Sequence, residues 1–169
     1  MDWAVYYCEY ARFLTPYNGL VKALPGNNVS YKRGSLGSVA SQGFFEIFFH
    51  QALRKAGTDL VAAEGMTVVN NHRRGISDCI SIPYHHGRAY ASQRFSGQQV
   101  SRRLLYTALS PLLPIVKSAR TLKEIMARRR SDLPIARALP WIFLFHCSWS
   151  AGECLGYLAG PGSSGDKWR

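Results

Sequence analysis

Phe45-Glu46-Ile47-Phe48-Phe49-His50-Gln51-Ala52-Leu53-Arg54-Lys55-Ala56-Gly57 carries the clearest periodicity in the chain. Phe45, Phe48, Phe49, Ala52, Leu53 and Ala56 recur at helical spacing and form one apolar stripe. Arg54 and Lys55 fall in the last turn, where the helix dipole favours cations, and Gly57 supplies the stop. Just beyond it, Thr58 to Ala63 and Met66 to Asn70 read as two short strands around Glu64-Gly65. A helix followed at once by β segments makes the fold class α/β over residues 1–75, with helices after that.

Upstream, Trp3 to Leu14 is aromatic-rich and reads as a helix ending before Pro16. Leu24-Pro25-Gly26-Asn27-Asn28 has turn chemistry, and Val29-Ser30-Tyr31-Lys32-Arg33 alternates like a strand. Ser35 to Ser41 is small and polar, a short helix or loop. Ile76 to Phe95 reads as a helix with a break at Pro83.

The chain has 169 residues, enough for about one domain. It is 47% hydrophobic and 18% charged, which excludes a disordered chain. The net charge of +11 is uneven. Gln98 to Arg137 holds nine basic and two acidic residues, whereas 138–169 is balanced. Such a block beside apolar runs points to an anionic partner, a membrane surface or nucleic acid. Nucleic acid asks for aromatics interleaved with the basic residues, and Lys117 to Arg137 has none. Lipid is therefore the partner expected, and no nucleic acid.

Two segments fit that partner. Ile115, Val116, Ala119, Leu122, Ile125 and Met126 form a stripe, with Lys117, Arg120 and Lys123 off it and Arg128-Arg129-Arg130 following. This is the pattern of a helix lying in an anionic interface. The apolar run Leu104–Val116 reaches only about 20 Å as a helix, short of the ~30 Å hydrocarbon core. Ala138 to Gly160 is long enough to span, at a cost concentrated in Glu153. The tail from Pro161 reads as disordered. The start of the chain does not read as a signal peptide, because Asp2 stands where a basic residue belongs.

Each candidate site has a plain alternative. Asn27 and Asn28 offer several donors and acceptors suited to sugar hydroxyls, and equally suit a turn braced by its own side chains. Glu46, His50 and Arg54 lie one turn apart on one side of their helix. Glu46 beside an imidazole suits general-base chemistry; at the third helical position after Gly43 it also suits capping. His72, after Val68-Val69-Asn70-Asn71, stands at a strand end with Arg73 and Arg74 to meet phosphates, or simply in a solvated loop. His85 and His86 are adjacent and point apart on a helix, a poor metal pair. Cys8, Cys79, Cys147 and Cys154 form no C-x-x-C pair.

Taken in order, these blocks resemble the C-terminal half of family 2 glycosyltransferases, inverting enzymes of the GT-A fold. The blocks are Leu24-Pro25-Gly26-Asn27-Asn28-Val29-Ser30-Tyr31-Lys32-Arg33, Phe45-Glu46 with its helix to Gly57, Val68-Val69-Asn70-Asn71-His72, and Gly87-Arg88-Ala89-Tyr90-Ala91-Ser92-Gln93-Arg94. Ser110-Pro111-Leu112-Leu113-Pro114 and Gly152-Glu153-Cys154-Leu155-Gly156-Tyr157 are similar to the hydrophobic C-terminal segment of membrane-associated members. The resemblance implies a partial GT-A α/β region, 1–97, forming the acceptor half, then a helical membrane-associated region, 98–160, and a tail, 161–169. It implies Glu46 as the base, Asn27, Asn28 and Arg33 on the acceptor side, His72 near the diphosphate, and Arg88 as a further binding residue. Where many members have Glu-Asp, this chain has Glu46-Ile47.

The function implied is sugar transfer from a nucleotide sugar to a lipid-linked or cell-surface glycan acceptor, at the cytoplasmic face of a membrane. The nucleotide-binding half and its D-x-D strand are missing from these residues, so an inactive fragment is expected. No cofactor is evident in the chain, although a complete enzyme of this kind would use a divalent metal. The alternative is a non-catalytic basic membrane-associated protein that partners a transferase.

Overall fold

The computed structural model describes residues 2–36, 46–66, 68, 75–95, 99–128 and 134–167. The chain divides into two compact units, Phe13–Asn71 and a second built from Met1–Arg12 with His72–Arg169.

In the Phe13–Asn71 unit the expected helix forms as α3, Glu46–Lys55. Gly57 ends it with φ 78°, a left-handed conformation that suits glycine. The helix lays Phe49 and Leu53 against Leu60, with Val21, Leu24, Tyr31 and Leu36 packed around them. The sheet consists of β1, Gly19–Val21, antiparallel to β2, Leu60–Ala62, with Leu20 opposite Val61. The alternating stretch from Val29 is not a strand. Asn28 N–H bonds Pro25 O at 3.1 Å, which closes a turn, and the backbone enters the short helix α2, Arg33–Leu36. The strand expected at Met66–Asn70 lies mostly outside the described residues.

The other unit is helical throughout its described residues: α1 Asp2–Tyr10, α4 Ile76–Arg94, α5 Val100–Leu109, α6 Leu113–Ala127 and α7 Ile135–Ala159. The helices α1, α4, α5 and α6 all pack on α7. The seam between α4 and α7 is a backbone contact. A Cβ at Gly152 would stand 2.9 Å from the carbonyl carbon of Tyr84 and closer still to its oxygen. Gly87 and Gly156 meet the opposite helix in the same way, over Trp149 and Arg88. Small residues four apart let two helices approach this closely. The helix α4 runs unbroken through Pro83, which is fully buried. A 3-10 turn, Ser110–Leu112, joins α5 to α6. At the other end Phe95, Tyr106 and Tyr157 stack, with ring centroids 4.8 Å and 5.1 Å apart across Phe95.

Two expectations are corrected. The chain is mostly helical, not α/β followed by a membrane region, because three-residue strands make up the only sheet among the described residues. No described helix is long and apolar enough to cross a membrane. The polar groups of α7 explain that second point: His146, Ser150 and Glu153 are buried inside the helical unit. Trp149 Nε1 donates to Glu153 Oε1, Tyr157 OH donates to Oε2 at 2.7 Å, and Lys117 Nζ stands 3.5 Å from Oε1. Residues 161–167 also depart from a disordered tail. They form a 3-10 turn at Ser164–Asp166, and Ser164 is buried against His85 with Oγ 2.9 Å from Nδ1.

Candidate functional site

Three site candidates of the Phe13–Asn71 unit, Asn27, Asn28 and Glu46, meet at one turn. Gly26 and Asn27 sit exposed at its tip. Asn28 is half-buried, and its side-chain Nδ2 donates to Met66 O at 2.7 Å, tying the turn to the residues after β2. Glu46, at the first position of α3, lies across this turn. A Cβ on Gly26 would come within 2.6 Å of the Glu46 carboxyl carbon and closer to one of its oxygens. Only glycine leaves room for the carboxylate in that position. Glu46 therefore lies against Gly26, and the helix N-terminus adds a field that favours its negative charge.

Behind the carboxylate is a hydrogen-bonded pair. His50 is buried, one turn along α3. Leu24 N–H donates to His50 Nδ1 at 3.4 Å, so the neutral ring carries its proton on Nε2. That Nε2–H donates to Tyr31 Oη at 2.8 Å. The Tyr31 ring stacks edge-on against Phe49, with centroids 5.0 Å apart. Burial, reinforced by the charge of Glu46, pushes the Tyr31 phenol up to about 12, so it stays protonated at neutral pH. The turn thus presents an exposed amide, an acceptor carboxylate and a neutral phenol within one small unit. That set can bind a hydroxyl compound and withdraw its proton.

The remaining candidates fall elsewhere. Arg33 is exposed at the start of α2. His72, with Arg73 and Arg74, lies outside the described residues. Arg88 belongs to the helical unit. Its Nε donates to Gly160 O at 2.9 Å and its guanidinium lies over Gly162, so it clasps the C-terminal turn. Among the described residues no three His, Cys, Asp or Glu side chains are grouped to hold a metal ion, and no step below is routed through one.

Tyr31 carried no signal in the sequence as a site residue. Its pairing with His50 spans nineteen positions and depends on how the turn folds back over α3. His50 was visible beside Glu46 by helical spacing. The backbone N–H of Leu24 that fixes its tautomer was not.

Comparison with protein-family models, curated proteins and solved structures finds no match to this chain.

Proposed function

We propose that the Phe13–Asn71 unit carries the acceptor side of an inverting sugar transfer of the family 2 type. Glu46 takes the proton from an acceptor hydroxyl held at the Gly26–Asn28 turn. The oxygen attacks the anomeric carbon of a nucleotide sugar, and the bond from that carbon to the diphosphate breaks. The acceptor class is a lipid-linked or cell-surface glycan. The support for this reading is a single observation: the Glu46 carboxylate lies directly on Gly26. The 169 residues hold no D-x-D strand, so this chain alone is expected to release no nucleoside diphosphate from a nucleotide sugar.

Amide-resolved NMR of the labelled full chain tests the reading, titrated with methyl hexosides and N-acetylhexosamines at millimolar concentration. Shifts are expected at Gly26, Asn27, the Asn28 side-chain amide and Tyr31. Gly26→Ala, which drives the carboxylate off the turn, abolishes them, and Glu46→Gln weakens them. If no sugar perturbs these amides, or if Gly26→Ala titrates like the parent, the proposal is wrong. The lack of a D-x-D strand also favours a second reading, a non-catalytic basic protein that partners a transferase. Under it, Glu46→Gln leaves glycan synthesis in the source cell unchanged.

A further inference from the structure

The segment from α5 through α6 is packed on one side and apolar on the other. Ser110, Pro114, Thr121 and Ile125 recur along one helical face and are buried. The opposite face of a surface helix is normally polar. Here it carries Leu104, Leu105, Leu109, Leu112, Ile115 and Val116, all exposed, and Met126 is exposed farther along α6. The exposures decide the point: Leu104 58%, Ile115 61% and Met126 70%. The 3-10 turn at Ser110–Leu112 keeps the row continuous, because Ser110 Oγ caps Tyr106 O at 2.8 Å and is itself buried. From Leu104 to Val116 a helix is about 18 Å long. An outward apolar row of that length is far more than the scattered exposed side chains of a solvated surface.

The charges beside the row select its occupant. Residues 99–128 hold six basic side chains and one acidic one, Glu124. Arg102 and Arg120 border one edge of the row, and Lys123 lies between its end and Met126. We infer that this face docks in the plane of an anionic bilayer, the apolar row sunk into the acyl boundary and the basic side chains at the phosphates. No described helix is long and apolar enough to cross a membrane. The inference goes beyond the transfer reading and stands or falls without it.

Co-sedimentation of the full chain with vesicles of phosphatidylcholine, alone or with three parts in ten phosphatidylglycerol, reads the binding. Strong binding is expected only with the anionic vesicles. Arg120→Gln/Lys123→Gln weakens it roughly ten- to thirty-fold, from about fivefold for each basic side chain removed. Ile115→Asp/Val116→Asp reduces it at least tenfold. Both of those positions are exposed, so far-UV CD is expected to stay unchanged; Leu104→Gln/Leu105→Gln repeats the test on α5. Glu46→Gln leaves partitioning unaltered, which separates failure here from failure of the transfer reading. Equal binding to neutral vesicles overturns the inference, as does full binding by both apolar-face variants. So does a stable dimer that Ile115→Asp/Val116→Asp dissociates while no vesicle is bound, since a second copy then covers the face.

Discussion

Gly152→Ala isolates the contact on which the helical unit depends. In an exposed helix this change stabilises by about 1 kcal/mol, because alanine is the better helix former. At Gly152 the new methyl points into α4, 2.9 Å from the Tyr84 carbonyl carbon and 3.0 Å from Arg88 N. Both are backbone atoms held in a helix, so neither can rotate aside. The helices must part by up to about 1 Å, and a gap of that size forfeits a quarter to a half of each dispersion contact along the seam. Overpacking of this kind costs about 3 kcal/mol or more where the site cannot give. Set against the propensity gain, the net loss is about 2 to 3 kcal/mol. Urea unfolding followed by far-UV CD reads it. With a slope of ~2 kcal/mol per molar, the midpoint falls by about 1 to 1.5 M. Ala151→Gly, exposed on the neighbouring position of α7, calibrates propensity alone and is expected to cost about 1 kcal/mol. Gly156→Ala, whose methyl would stand 2.8 Å from Ala91 Cβ, moves in the same direction as Gly152→Ala. A Gly152→Ala midpoint at or above the parent's would refute backbone contact between α4 and α7.

Three further outcomes follow from buried polar groups. Burial, seconded by Lys117, pulls His146 down to about 4, and unfolding returns it to about 6.5. The unfolded chain binds the extra proton between those values. Stability is therefore full above pH 6.5 and falls by ~3 kcal/mol as pH drops to about 4; His146→Gln flattens that part of the urea-midpoint profile. Lys117 is a lysine whose burial lowers its basicity while Glu153 opposes the effect, and its Nζ also lies 4.1 Å from the Trp149 ring centroid. Lys117→Met alone leaves the Glu153 carboxylate without its cation and is expected to cost about 1 to 3 kcal/mol, whereas Lys117→Met/Glu153→Gln recovers most of it in a double-mutant cycle. Tyr31→Phe removes the hydroxyl that meets His50 Nε2 and is expected to cost about 1 kcal/mol, read by thermal unfolding; an unchanged midpoint means that the pair does not form.

What the sequence disclosed and what it withheld divide along the range of the interaction. The helix ending at Gly57 was legible because its signals, an apolar stripe, basic residues in the last turn and a glycine stop, all lie within thirteen residues. The false strand after Asn28 arose because Val29, Tyr31 and Arg33 alternate, while the turn closed by Asn28 N–H on Pro25 O is also tied down by the Asn28 side chain to Met66 O, distant in sequence. Pro83 read as a break because local chemistry counts only the lost hydrogen bond and ring clash, of order 3 kcal/mol. The close seam with α7 outweighs that cost, and nothing near Pro83 announces the seam. Glu153 read as an expense for the same reason, since Lys117, its counter-ion, lies on another helix.

The site shows the same division. Glu46 and the Asn27–Asn28 turn were legible as chemistry, each from a few neighbouring residues. That Gly26 must be glycine to admit the carboxylate, and that Tyr31 and His50 stand behind it, became visible only when the two segments met in space. Periodicity has a related limit in α6. A 3.6-residue repeat reveals a stripe without saying which side the core will take, and Ile125, counted with the apolar stripe, turns out to belong to the packed side beside Thr121 and Pro114. α7 offers partners to this side: His146 Nε2 stands 3.2 Å from Thr121 Oγ1 and Ser150 donates to the backbone carbonyl of Ser110, whose own hydroxyl bonds Tyr106 O. Polar groups that find partners on α7 take the buried side, and Leu112, Ile115 and Val116 are left facing outward. The outward apolar face is therefore a consequence of how the core of this unit is satisfied.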